Sequence, residues 1–136
     1  MSSKPNTPAD WIAPAKADLA HADLSVEHAH FDWACFSAQQ AAEKAVKAVL
    51  SRLGAEPWGH AVADLLSALP ESPAASSDLM LAALEFDKVY ISSRYPDALP
   101  AGSPSTRYTL READRMVGYA REVVQFCQGY LSRLQS

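Results

Sequence analysis

Apolar and small residues recur along this chain at helical spacing, and nowhere do they alternate as a half-buried strand would require. The clearest stretch is Asp32–Leu53, DWACFSAQQAAEKAVKAVLSRL. It contains no Gly or Pro and stops at Gly54, a residue suited to the left-handed position that closes a helix. Stepping about 100° per residue, Cys35, Ala38, Ala42, Val46, Val49 and Leu53 share one narrow, small-sided face against which another helix can pack closely. Phe36, Gln40, Glu43 and Lys47 form a second stripe, with Trp33 and Lys44 beside it. Two aromatics among amides and charges exceed what a solvated face needs, so this side reads as a contact surface.

The rest of the chain follows the same period. Residues 1–9, rich in Pro, Ser and Asn, read as a disordered lead-in to one domain over 10–136. A first helix is expected near 12–24, opening close to Asp10 and burying Ala15, Leu19, Ala22 and Val26. A short helix near 60–69 has Val62, Leu65, Leu66 and Leu69 as its apolar side and ends at Pro70. His60 is read as its start or as a packing residue, with a catalytic base as the alternative. The helix near 78–94 carries two apolar rows, Leu79, Ala83, Phe86 and Tyr90 against Met80, Leu84 and Ile91. That pattern suits a central helix or one shared with a subunit interface.

Pro96, Pro100, Gly102 and Pro104 then make a long loop, of a length often tied to function. Thr109, with Glu112 three residues on, can cap a last helix near 109–134. Its buried arc is expected to be Leu110, Met116, Val117, Ala120, Val123, Val124, Cys127, Leu131 and Leu134, with Arg111, Arg115 and Tyr119 on another side. The expected fold is all-α: an antiparallel up-and-down four-helix bundle with one additional short helix.

Composition narrows the class. The 136 residues, 49% hydrophobic and 21% charged, suit one soluble globular domain. No apolar run approaches the ~20 residues of a membrane span. The first residues lack an apolar signal core, so a cytoplasmic location is expected. Cys35 and Cys127 fall inside helical patterns and read as buried thiols. Residues 1–87 hold five basic against twelve acidic side chains, whereas residues 88–121 hold six against three. General nucleic-acid binding is disfavoured, and a local anion site in the second segment is permitted.

Cofactor and hydrolase motifs are missing: no GxGxxG, GK[ST] loop, GxSxG, HExxH or paired CxxC occurs, so neither a cofactor nor a metal is expected. His28 and His30 diverge on a helix or loop and make no metal pair. The remaining constellation is Arg94, Tyr95 and Asp97, followed by Arg107, Tyr108, Arg111 and Arg115. Arginine grips phosphate with two parallel bonds, and tyrosine stacks on bases. The candidate phosphate-binding residues are Lys44, Lys47, Arg94, Tyr95, Asp97 and Arg111; the alternative pairs Arg94 with Asp97 or a helix end. Candidate interface residues are Trp33, Phe36, Gln40, Met80, Leu84 and Ile91. No catalytic residue is assigned.

CFSAQQAAEKAVKAVLSRLG, the later GH…DLL, SRYPD, and TLREADRMVGYAREVVQFCQGYL together resemble the HEPN domains over roughly Ala15–Leu134. The resemblance implies a helical bundle, often a homodimer, often encoded beside a minimal nucleotidyltransferase in toxin–antitoxin-like pairs. Ribonuclease members use an Arg, then four to six residues, then a His, in a cleft between two subunits. In this chain the positions at that distance from Arg94 are Leu99, Pro100 and Ala101, and from Arg107 they are Glu112, Ala113 and Asp114. Arg52 and His60 are too far apart, and Ser37 stands where relatives commonly carry a His in the signature helix. The reading is a non-catalytic nucleotide- or RNA-binding or partner-binding module, with a ribonuclease of unusual residue set or a purely structural bundle as alternatives.

Overall fold

The computed structural model describes residues 8–56, 59–70, 77–94 and 108–135. They form the helices α1 (Pro8–Glu27), α2 (Phe31–Arg52), α3 (Val62–Ser67), α4 (Ser77–Arg94) and α5 (Leu110–Gln135). The all-α bundle has four long helices and one short one, and among the described residues no helix is long and apolar enough to cross a membrane. The first helix is longer than expected at both ends, and Pro14 lies in its second turn. The rest of the lead-in and the loop carrying Tyr95 and Asp97 lie outside the described residues.

Helix α2 is the centre, in contact with each of the other four. Ala34, Ala38, Ala41, Ala42, Ala45 and Ala48 are all 0 % exposed and point in several directions around it. Methyl-sized side chains let neighbouring backbones approach from several sides at once. Val46 and Val49 complete the expected face, while Leu53 falls beyond the helix and stays partly exposed.

Both helices of the α1–α2 hairpin end with the same local closure. At the end of α2, Gly54 has φ 81°, its N–H donates to the Ser51 carbonyl at 3.0 Å, and the Ala55 N–H donates to the Leu50 carbonyl at 2.9 Å. At the end of α1, Ala29 occupies the left-handed position at φ 60°, and His30 N–H donates to the Ser25 carbonyl at 2.8 Å. An alanine there costs about 1 kcal/mol relative to glycine.

Helix α3 starts at Val62, not at His60, and its N-cap residue Ala61 offers no side-chain bond. The cap comes from α4 instead. Asp87 accepts from the Val62 N–H at 2.6 Å and the Ala63 N–H at 3.4 Å. Burial pushes the Asp87 carboxyl up, and the two N–H groups pull it partly back. Asp87→Ala should therefore cost about 1–2 kcal/mol in urea unfolding. A carboxyl raised in the folded chain binds its proton more readily there. Its contribution is greatest below the unfolded value and declines as pH rises through the folded one. Wild type should lose stability relative to Asp87→Asn across that acidic window; a flat difference would contradict the assignment.

Helix α4 is peripheral, not central. Leu79, Ala83 and Phe86 are buried as expected, but Leu84 is 51 % exposed and Leu81 60 %. Helix α5 opens with the expected capping box: the Glu112 N–H donates to Thr109 Oγ1 at 3.1 Å, and the Thr109 N–H donates to Glu112 Oε1 at 2.9 Å. Leu110 does not join the buried arc, because it is the first helical residue and faces solvent. Cys35 and Cys127 are buried; desolvation first, then Glu112 and Asp32, pushes the Cys35 thiol up to about 12, and burial raises Cys127 as well. Both thiols are inert in the folded chain.

Candidate functional site

Gln39, Glu43 and Lys47 stand at successive i, i+4 positions of α2 and therefore line up along one side of it. That side is inside the fold. Glu43 and Lys47 are 4 % and 6 % exposed, so this part of the stripe is not the contact surface expected from the sequence. Helix α1 and the α2–α3 connector cover it. Lys47 Nζ donates to Glu43 Oε2 at 2.9 Å and stands 5.2 Å from the centre of the Trp11 ring. Gln39 Nε2 donates to Glu43 Oε1 at 3.0 Å, and Gln40 Nε2 donates to Gln39 Oε1 at 2.7 Å. The Trp11 Nε1–H is buried with no partner among the described residues.

This network reaches the surface at His60. Its Nδ1 lies 3.0 Å from Glu43 Oε2, and its ring stacks on Tyr90 of α4 with centroids 4.8 Å apart and planes 15° apart. A carboxylate only accepts, so Nδ1 carries the proton and donates, which directs the Nε2 lone pair of the neutral ring away from Glu43. The side chain of His60 is 49 % exposed while that of Glu43 is 5 %. A buried carboxylate thus orients a half-exposed imidazole, an arrangement able to accept or donate a hydrogen bond and to move a proton. Tyr90 is one turn before Arg94, the last residue of α4.

The expected phosphate residues are not gathered in one place. Lys47 is spent on Glu43, and Lys44 Nζ donates to Asp18 of α1 at 2.7 Å, so neither is free to neutralise a bound anion. Arg111 is exposed on α5. Ile91 and Arg94 belong to the last turn of α4, whose side chains lie outside the described residues, as do Tyr95 and Asp97. Of the interface candidates, Trp33 and Leu84 are exposed; Phe36, Gln40 and Met80 are half-buried, Met80 against the core. Trp33 and Phe36 meet edge to face at 6.3 Å. Among the described residues no three His, Cys, Asp or Glu side chains gather as a metal site.

Glu43, Gln39, Trp11 and Tyr90 are not among the candidate site residues that the sequence points to, and His60 reads there mainly as packing. The i, i+4 spacing of Gln39, Glu43 and Lys47 is visible in the sequence. Which side of α2 is wrapped by other helices is not.

Comparison with known proteins gives a consistent result. The HEPN domain model matches residues 8–130. The crystal structure of TT1696 from Thermus thermophilus is 42% identical with TM-score 0.87, covering 92% of this chain and 98% of that one. ST0689, described as an archaeal HEPN homologue, is 36% identical with TM-score 0.78, covering 90% and 96% respectively. An HEPN domain protein (tm0613) from Thermotoga maritima is 49% identical with TM-score 0.73, covering 90% and 97%. No curated protein matches the chain.

Proposed function

The chain belongs to the HEPN domain family, and from that premise we propose that it is a binding module for a phosphate-bearing ligand, a nucleotide or an RNA end. The ligand is held at the ledge made by His60 and Tyr90 beside the last turn of α4. The observation that carries this reading is the stacked His60–Tyr90 pair, anchored through Nδ1 on the buried Glu43. A stacked aromatic pair can be extended by a nucleobase, and the oriented imidazole offers a directed hydrogen bond. Arg94, one turn beyond Tyr90, supplies the phosphate contact in place of Lys44 and Lys47.

Titration with a panel of nucleotides and short RNAs tests this. Arg94→Ala should weaken binding by about 1–3 kcal/mol with little change in melting temperature. His60→Ala should weaken the same ligands. Absence of any binding, or variants that lose stability and leave binding intact, would return these residues to a structural role. RNA cleavage by the purified protein that His60→Ala abolishes would favour the ribonuclease alternative instead. In that case the His60–Glu43 pair would replace the missing Arg…His spacing.

A protein partner is favoured by a separate observation, the exposure of Leu81, Leu84 and Trp33. A homodimer is the simplest occupant, and a nucleotidyltransferase partner in a toxin–antitoxin-like pair the other. Light scattering should give twice the mass of 14.7 kDa. A monomer at tens of micromolar, with no partner recovered from cells, would count against it.

A further inference from the structure

A shallow groove of about 580 Å³ runs between the last turns of α1 and the first half of α5. Its apolar floor is Val26, packed against the core, and Val117, which is 5 % exposed. Three carboxylates line it, Asp23 and Glu27 from α1 and Asp114 from α5. Arg121 of α5 donates to Asp23 Oδ1 at 2.8 Å, so one guanidinium already bridges the two helices. Glu27 and Asp114 are exposed and enter no ion pair among the described residues. The groove thus carries two carboxylates beyond the one that Arg121 neutralises.

Gly118 adds an independent observation. It stands inside α5, where glycine is less favourable than alanine because its backbone loses more freedom on folding. Internal packing does not require it, since a Cβ built at Gly118 meets nothing within 4 Å. Its backbone borders the groove instead and is half-exposed. A helix surface that lacks a Cβ at the floor of a groove lets a group from outside come into close contact.

We propose that this groove is the docking site for an arginine side chain presented by a peptide segment of another protein. Charge complementarity selects a cation, and the valine floor selects one with an apolar stem. The methylenes of the incoming arginine lie over Val26, Val117 and Gly118, and its planar fork donates to Glu27 and Asp114. Lysine carries the same charge, but its ammonium is compact and strongly hydrated and lacks the fork that spans two carboxylates. The groove shares no residue with the Glu43 network, with the His60–Tyr90 ledge or with the exposed Leu81, Leu84 and Trp33, and it stands whatever those bind.

Amide NMR titration of the full chain tests this with three short peptides of alanine and leucine that differ only in a central arginine, lysine or glutamine. The arginine peptide should saturate and shift the Val117 and Gly118 amides most. The lysine peptide should bind about threefold more weakly or worse, and the glutamine peptide should not saturate. Glu27→Gln and Asp114→Asn should each weaken the arginine peptide about fivefold or more. Glu56→Gln, which removes the same charge outside the groove, should leave it unchanged. Gly118→Ala should raise the melting temperature by about 2–5 °C and still weaken binding about tenfold. Those opposite signs separate loss of the site from loss of the fold. Failure to saturate at millimolar arginine peptide, equal binding of the glutamine peptide, or unchanged affinity in Gly118→Ala overturns the proposal. So does a groove filled by a second copy of this chain, in which case Asp114→Asn would turn a dimer into a monomer in light scattering and no peptide would bind.

Discussion

Glu43→Ala should destabilise the protein by about 3–5 kcal/mol, the largest loss expected of any polar substitution in the chain. The carboxylate is 5 % exposed and accepts from Lys47, Gln39 and His60 together. Removing it strands the Lys47 ammonium in the interior beside the Trp11 ring, and two further donors lose their acceptor. Much of that loss reflects the charge left behind, not the net worth of the pair. Glu43→Met combined with Lys47→Met should therefore recover most of the stability, or exceed the wild type. Chemical denaturation of the single and double variants is the measurement. A single-variant loss below about 1 kcal/mol would mean that Lys47 reaches solvent along its own stem.

Phe86→Ala should cost about 3–5 kcal/mol and detach α4 first. Phe86 is 0 % exposed and meets Tyr119 of α5 edge to face at 6.4 Å and 80°. Among the described residues it is the largest fully buried side chain on α4, and its neighbours Leu81 and Leu84 turn outwards and cannot take its place. Leu81→Ala, on the same helix, should change stability by no more than about 0.5 kcal/mol if that surface is free. A thermal melt in which the two substitutions cost the same would show that α4 is not anchored through Phe86.

The fold is legible in the sequence where a boundary carries local chemistry: Gly54 closing α2 and Thr109 with Glu112 opening α5 are each set by a few neighbouring residues. Two features are not legible there. Asp87 caps a helix that begins 25 positions before it in the sequence, a pairing no local rule anticipates. The side of α2 bearing Glu43 and Lys47 reads as a surface because a charged i, i+4 pair usually is one; here Trp11 and His60, both distant in sequence, cover it. Clustered arginines draw the eye to the segment after α4. The oriented imidazole comes instead from a connector whose partner carboxylate is 17 positions away.

The alanine lining of α2 makes the consequences of random change one-sided. A methyl group is the least a chiral side chain can present, so at Ala38, Ala42 or Ala45 the only substitution that removes volume is glycine. Nearly every replacement there fails by overfilling, and a swollen seam cannot be relieved by trimming the opposite residue where that residue is itself Ala15, Ala22, Ala113 or Ala120, already at 0 % exposure. On α4 and at the larger buried positions of α5, where Phe86, Met116 and Tyr130 fill space, the typical failure is a void, which a neighbour can partly collapse into. Sequence drift in this protein is thus confined by crowding at its axis and by emptiness towards its rim.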